Sequence, residues 1–232
     1  EFQKRNTVVE KVPINFDRTF ATSFDFNASP YTTLIAGQTD FIVKFYNKQT
    51  GEKKDYLEEG DEGFEPLEVM RIFVQKEFLD RDGETKGACL SFLEWLDVNN
   101  ASTDIDIYGD ASGHNRFTGM GSLTNFKLIE EIFGEKYATE KKAKKFNISV
   151  KLRRNFLNRL FANKIPEIEL YISAECEETI RDLTFLKKSP DGSKYKEKEI
   201  DPHTGKSFEK IGHTSDALEC WLCVLCYDWL KD

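Results

Sequence analysis

Three aspartates each stand where an apolar segment begins or ends: Asp25 in Ser-Phe-Asp-Phe-Asn, Asp110 in Asp-Ile-Tyr-Gly-Asp-Ala-Ser-Gly and Asp216 in His-Thr-Ser-Asp-Ala-Leu. A carboxylate beside buried chain needs a neutralising partner, because unpaired burial costs several kcal/mol and drives proton uptake. The fold must therefore bring each acid to a cation or to water. Mg²⁺ and Mn²⁺ accept hard oxygen ligands in near-octahedral geometry and keep several waters, so a few carboxylates from scattered elements suffice to hold them. Two such ions about 4 Å apart neutralise three acids and support in-line hydrolysis of a phosphodiester. In a chain with 41 acidic residues, any three aspartates are more often caps, turn residues or solvated charges, so spacing alone does not establish a metal site.

The elements carrying these acids read as alternating strands and helices. Phe20, Thr22, Phe24 and Phe26 alternate with Ala21, Ser23 and Asp25, the period of a strand, which puts Asp25 on the face opposite the phenylalanines beside small residues. A turn at Asn27–Pro30 leads to a strand over Thr32–Gln38, with Phe41–Tyr46 as a third strand or hairpin arm. The acidic, glycine-bearing stretch 47–66 reads as a surface loop. Further strands are predicted over Val69–Phe78, Asp104–Gly109, Asn147–Leu152 and Glu169–Ser173, and helices over Glu84–Leu96, Leu123–Phe133, Phe156–Phe161 and Cys176–Leu183. A turn cluster after Lys187 and Lys188 predicts a hairpin with a basic rim, and Asp201–Gly205 predicts a second turn. The last helix is predicted to open with Thr214 or Ser215 as N-cap, carry Asp216 in its first turn and run to Leu230. This alternation defines an α/β domain.

Its 232 residues suit one large domain, and 39% apolar content supports a packed, phenylalanine-rich core. A net charge of −8 discourages unassisted nucleic-acid binding, so any DNA contact must be local or metal-assisted. Five cysteines in no scaffold spacing fit a reducing compartment, and the polar N-terminus lacks the apolar core of a signal peptide. The longest apolar run, Ala217–Tyr227, contains Glu219 and falls far short of the roughly 20 residues of a membrane span.

Ser-Phe-Asp-Phe-Asn-Ala-Ser-Pro-Tyr-Thr-Thr, Tyr-Gly-Asp-Ala-Ser-Gly and His-Thr-Ser-Asp-Ala-Leu, in this order, resemble the C-terminal nuclease domain of large terminase subunits from tailed bacteriophages. Asn155–Asn163 and Ile180-Arg-Asp-Leu also resemble that family's segments, and the likeness covers roughly residues 19 to 230. It implies a ribonuclease H-like fold: a mixed central sheet flanked by helices, with an added β-hairpin. The implied activity is endonucleolytic cutting of concatemeric double-stranded viral DNA during genome packaging, in the host bacterial cytoplasm. Other ribonuclease H-like nucleases, such as junction resolvases, and a non-catalytic portal-docking module are the alternatives.

The resemblance assigns Asp25, Asp110 and Asp216 to two Mg²⁺ or Mn²⁺ ions, with Asp25 bridging. Asp106 is the rival to Asp110, but Gly109 before Asp110 and Ala-Ser-Gly after it match the family motif better. Glu77 stands where the family often has an acid, as a fourth carboxylate or a partner to the ligands, against a solvated strand residue, and His213 is a candidate to orient a water or ligand, against a solvent-exposed loop histidine. Lys194, Lys196 and Lys188 are candidates for DNA phosphates, with substitution expected to weaken DNA binding and leave metal affinity unchanged. Lys141–Lys145 reads as a solvated basic run.

Two other patterns are set aside. Gly205-Lys206-Ser207 lacks the glycine five residues earlier that a phosphate-binding loop requires, where Ile200 stands. Cys220, Cys223 and Cys226 fall at helical spacing in an apolar helix, which fits packed thiols better than a metal site. With no ATP motif, residues 1–18 are expected to lead in from an N-terminal ATPase domain and 19–232 to form the nuclease, a monomer in isolation. DNA, the portal protein, the small terminase subunit and that ATPase domain are the expected partners, and no membrane is.

Overall fold

A computed structural model describes residues 2, 7–26, 31–81, 84–117, 122–190, 194–200, 205 and 207–230. The turn expected at 27–30, residues 201–204 of the turn expected at 201–205, and the tip of the expected basic hairpin lie outside the described residues. Strand β2 (Phe20–Asp25) is central: it pairs antiparallel with β3 (Thr32–Asn47) and parallel with β6 (Ile105–Gly109). β5 (Phe64–Asp80) flanks β3 antiparallel, and β7 (Thr139–Lys141) flanks β6 in parallel. β8 (Ile168–Ser173) and β1 (Val8–Val9) extend the β5 side, while β4 (Glu52–Lys54) pairs the far end of β3. The resulting eight-stranded order, β1-β8-β5-β3-β2-β6-β7 with β4 off the path, is a mixed sheet of the ribonuclease H-like kind.

Alternation along β2 divides the core. Phe20 and Phe24 face a cluster built with Cys89, Phe92 and Leu96 of helix α1 (Thr85–Val98) and Phe126, Ile129 and Phe133 of α2 (Asn125–Gly134). Ala21 faces a second cluster of α3 (Val150–Phe161), α4 (Glu177–Phe185) and α5 (His213–Leu225), including Phe156, Ile180 and Trp221. Each fully buried phenylalanine contributes roughly 1.5–3 kcal/mol. Ser23, on the Ala21 face, donates to the Ala217 carbonyl of α5 at 2.6 Å. The face of β2 that carries the acid is therefore the one that α5 covers.

Several boundaries differ from the sequence reading. Asn147–Leu152 is not a strand: Ser149 accepts from the Leu152 amide and caps α3, so the β-branched Ile148 and Val150 belong to a helix start. Thr32–Gln38 and Phe41–Tyr46 are one strand, because cross-strand pairing with β5 runs unbroken in direction through a bulge at Ala36/Gly37. β5 starts at Phe64, inside the expected loop, and accommodates Pro66 beyond the stretch where β8 pairs on its other side. The basic run overlaps β7 at Lys141, whose ammonium is bound by Glu130. α5 ends at Leu225 and passes into a 3-10 turn over Tyr227–Leu230.

Candidate functional site

Asp25 and Asp110 arrive together because Asp25 ends β2 and Asp110 follows the neighbouring parallel strand β6. Phe24 pairs with Gly109, and the Asp110 amide donates to the Phe24 carbonyl at 3.3 Å. Asp110 then caps a 3-10 turn, its Oδ1 accepting from Ser112 N at 2.7 Å and its Oδ2 from Asn147 Nδ2 at 2.8 Å. Asp106 sits earlier on β6, opposite Ala21, and lies 3.9 Å from the Lys142 ammonium.

Asp216 lies in the first turn of α5, whose N-cap is Gly212 rather than Thr214 or Ser215. Gly212 has φ 111°, a backbone conformation that disfavours a side chain, and a Cβ there would come within 2.9 Å of Lys196 Cε. The helix start is held by Asp182, a buried acid the sequence reading passed over. Its Oδ1 accepts from Gly212 N at 2.8 Å, and its Oδ2 accepts from Thr214 Oγ1 at 2.7 Å and Ser215 N at 3.2 Å. The one available signal was an acid within the Ile180-Arg-Asp-Leu segment, on a short amphipathic helix.

Asp216 is half-buried and each of its oxygens meets a lysine. Lys194 Nζ lies 2.7 Å from Oδ1 and Lys196 Nζ 2.6 Å from Oδ2. Lys194 also reaches Glu219 at 2.5 Å and Ser215 Oγ at 3.0 Å, and Lys196 reaches Glu209 at 2.6 Å. Burial pushes the Asp216 carboxyl up, but the two ammoniums outweigh it and hold it below its usual range. Both lysines come from the expected hairpin: β9 (Lys187–Lys188) pairs β10 (Lys194–Tyr195), with Lys188 exposed opposite Lys194. A second small ribbon, β11 (Lys198–Ile200) with β12 (Ser207–Glu209), supplies Glu209.

His213 is buried at 1% exposure, not a solvent-facing loop residue. Its Nδ1 lies 2.9 Å from Asp25 Oδ2 and its Nε2 lies 2.8 Å from the Glu209 carbonyl, with the Tyr31 ring edge-on at 5.6 Å. Burial alone would lower the imidazole pKa, and the bonds to Asp25 and Glu209 raise it above its ordinary value. Glu77 aims both oxygens at the start of α4, accepting from Glu178 N at 2.8 Å, Thr179 N at 2.9 Å and Thr179 Oγ1 at 2.8 Å. Burial still leaves its carboxyl above the ordinary range.

Asp25, Asp110 and Asp216 thus share one edge of the sheet. The Cys220 thiol, pushed up first by burial, also senses both Asp110 and Asp216. Oxygen donors of this kind suit a hard divalent cation. As arranged, however, no group of three or more His, Cys, Asp or Glu side chains among the described residues converges to hold one. The donor chemistry fits a metal; the present side-chain partners occupy the donors. Cys220 and Cys223 of α5 and Cys226 at its C-cap are free and buried or half-buried, as their spacing predicted.

A ribonuclease H-like sheet with acids at the ends of its central parallel strands defines the class of fold. More particularly, it is the fold seen in large terminase. The large terminase of a thermophilic bacteriophage superposes with a TM-score of 0.53 and 13% identity, over 97% of this chain and 44% of that one. Its complex with ADP gives 0.54 and 15% identity, over 97% and 44%. The g2p (large terminase) nuclease domain from bacteriophage SPP1, with bound Mn, gives 0.44 and 12%, over 93% and 94%. The chain spans less than half the length of the thermophilic phage terminase it matches. No family model matches the sequence, and neither does any curated protein. No helix among the described residues is long and apolar enough to cross a membrane.

Proposed function

We propose that this chain is a divalent-metal-dependent endonuclease that cuts concatemeric double-stranded viral DNA during packaging, as the nuclease portion of a large terminase. The observation that carries the reading is the delivery of Asp25 and Asp110 by paired parallel strands to the edge where Asp216 opens α5. Asp25, Asp110 and Asp216 would hold the metal, two Mg²⁺ or Mn²⁺ ions in the fullest form. Bound there, the metal supplies Lewis acidity toward a phosphoryl oxygen and acidifies a water. The chain's own part is to aim the acids, through Asp182 on α5, Asn147 on Asp110 and His213 on Asp25. Lys194 and Lys196 must withdraw before Asp216 is free to bind an ion, which makes the basic hairpin a cover over the site. An ATPase domain, the portal protein and the small terminase subunit would be its partners in the host cytoplasm.

The test is cleavage of supercoiled plasmid in Mn²⁺, Mg²⁺ or EDTA by wild type, Asp25→Ala and Asp216→Ala. Metal-dependent nicking and linearisation, lost in both variants, is the expected result. The ion pairs on Asp216 favour a second reading, a docking module in which the acids serve only as structural partners. Folded wild type that neither cuts nor binds Mn²⁺ by calorimetry would replace the first reading with the second.

A further inference from the structure

Two of the lysines first expected to touch DNA, Lys194 and Lys196, are held by Asp216, while Lys188 is exposed on the far strand of their hairpin. Another set faces solvent beside Asp110. Lys141 is bound by Glu130, and Lys142 by Glu140. The next three lysines along the chain, Lys144, Lys145 and Lys151, are exposed and have no carboxylate within ion-pair distance among the described residues. Lys144 instead lies over the Tyr227 ring, 5.3 Å from its centre.

This segment is tied to the rim of the site. Asn147 sits between these lysines, donating to Asp110 Oδ2 at 2.8 Å and accepting from the Ala111 amide at 3.1 Å. On one side a cleft is walled by Gly109, Lys144, Asn147, Arg153 and Cys220, so it adjoins the strand end that delivers Asp110. Arg153 binds Glu219 at 3.2 Å, and its buried Nε has no hydrogen-bond partner. On the other side a shallow groove runs between Phe146, Leu152 and Tyr227. Phe146 is 59% exposed at its mouth. Lys151 stands in the first turn of α3, the positive end of that helix dipole.

We infer that Lys144, Lys145 and Lys151 hold the phosphate backbone of a DNA duplex against the Asp110 side of the acidic edge. This rests on the nuclease reading above. In a chain of net charge −8, affinity for a polyanion must come from a local set of cations that no carboxylate has already neutralised. These three meet that condition within a stretch anchored to Asp110, whereas Lys194 and Lys196 are both spent on Asp216. An exposed ring next to them offers an apolar surface for sugar or a frayed base.

The experiment is fluorescence anisotropy of a labelled blunt duplex in EDTA, so that binding is read without cutting, across a salt series. Lys144→Ala, Lys145→Ala and Lys151→Ala are combined, and a control removes equal charge at the exposed Lys11, Lys86 and Lys164. With three phosphates no longer neutralised, the log–log salt slope should become shallower by about 2.7, with affinity about tenfold or more weaker at low salt. The control should keep the wild-type slope. An unchanged slope in the first variant, or an equal change in the control, overturns the assignment. Plasmid cutting in Mn²⁺ by wild type separates the two ideas: cutting with an unchanged slope sinks only the lysine surface, and no cutting with no duplex binding sinks the nuclease reading with it.

Discussion

His213 lies between two acceptors, Asp25 Oδ2 at 2.9 Å and the Glu209 carbonyl at 2.8 Å. A neutral imidazole has one donor and one acceptor, so it can satisfy only one of them. Only the imidazolium donates to both. Burial opposes that charge, but the bonds to Asp25 and the Glu209 carbonyl outweigh it and raise the pKa above its ordinary value, and the contacts link β2 to the start of α5. In EDTA at neutral pH, the ¹⁵N shifts of both His213 ring nitrogens should be those of protonated imidazolium. His213→Gln, which offers one side-chain donor group toward two acceptors, should lower urea stability by about 1–3 kcal/mol. A neutral-tautomer shift pattern would refute the pairing.

Asp182 is fully buried and accepts two backbone amides and one hydroxyl at the head of α5. Asp182→Ala strands those donors, each a desolvated group without a partner, so a loss of about 3 kcal/mol or more is expected. Because the same bonds orient the turn bearing Asp216, Asp182→Asn should retain part of the stability yet reduce metal-dependent cutting at saturating DNA. Normal cutting by that variant would show that Asp182 does not position Asp216.

The sheet was largely readable from period-two alternation: Phe20 and Phe24 on one side and Ala21 and Ser23 on the other predicted the face that Asp25 occupies. Asp110 beside Asp25 followed from the family motif and is met by the Phe24–Gly109 pairing. What escaped was set by distance along the chain. His213 finds Asp25 across 188 positions, and Lys194 and Lys196 find Asp216 only after two ribbons fold against α5. Locally, Ile148 and Val150 carried strand propensity that the Ser149 cap overrode, a weak preference losing to a specific hydrogen bond.

Gly37 illustrates how tightly α5 lies on the sheet. It sits at the β3–β5 bulge, where a Cβ would be 2.1 Å from the Phe73 carbonyl oxygen and 2.5 Å from Trp221 Cη2. Gly37→Ala must displace backbone or a buried indole, a cost of about 3 kcal/mol. For a domain of this size that lowers the melting temperature by roughly 6–12 °C. Scanning calorimetry showing a change of under a degree would contradict this packing.

Glu169 anchors the other end of the sheet, with Lys53 at 2.8 Å, Lys44 at 3.1 Å and the Tyr171 hydroxyl at 2.8 Å. Burial pushes its carboxyl up, but these partners outweigh burial and leave it below the ordinary value. A depressed carboxyl pKa contributes stability above the unfolded value of about 4.3 and loses it as pH falls through the folded value. Wild type should therefore exceed Glu169→Gln in stability at neutral pH, with the gap closing below about pH 4. A gap that persists at about pH 2.5 would mean that shape, not charge, accounts for it.

Lys194 and Lys196 close off Asp216. Both compete with any cation for Asp216, one on each carboxylate oxygen. Burial would lower the pKa of each ammonium, yet the carboxylates around it keep each above its ordinary value, so both stay charged throughout the working range. Replacing either by methionine preserves the length of the side chain and removes the competitor. Mn²⁺ affinity, measured by calorimetry, should then rise by about tenfold, equivalent to about 1.4 kcal/mol. The sequence reading expects a different outcome, weaker DNA binding with metal affinity unchanged, because the family resemblance places the lysines beside the acids without showing that they hold Asp216. Unchanged Mn²⁺ affinity in both variants would mean that the lysines do not shield Asp216 from the ion, and the hairpin would lose its role as a cover.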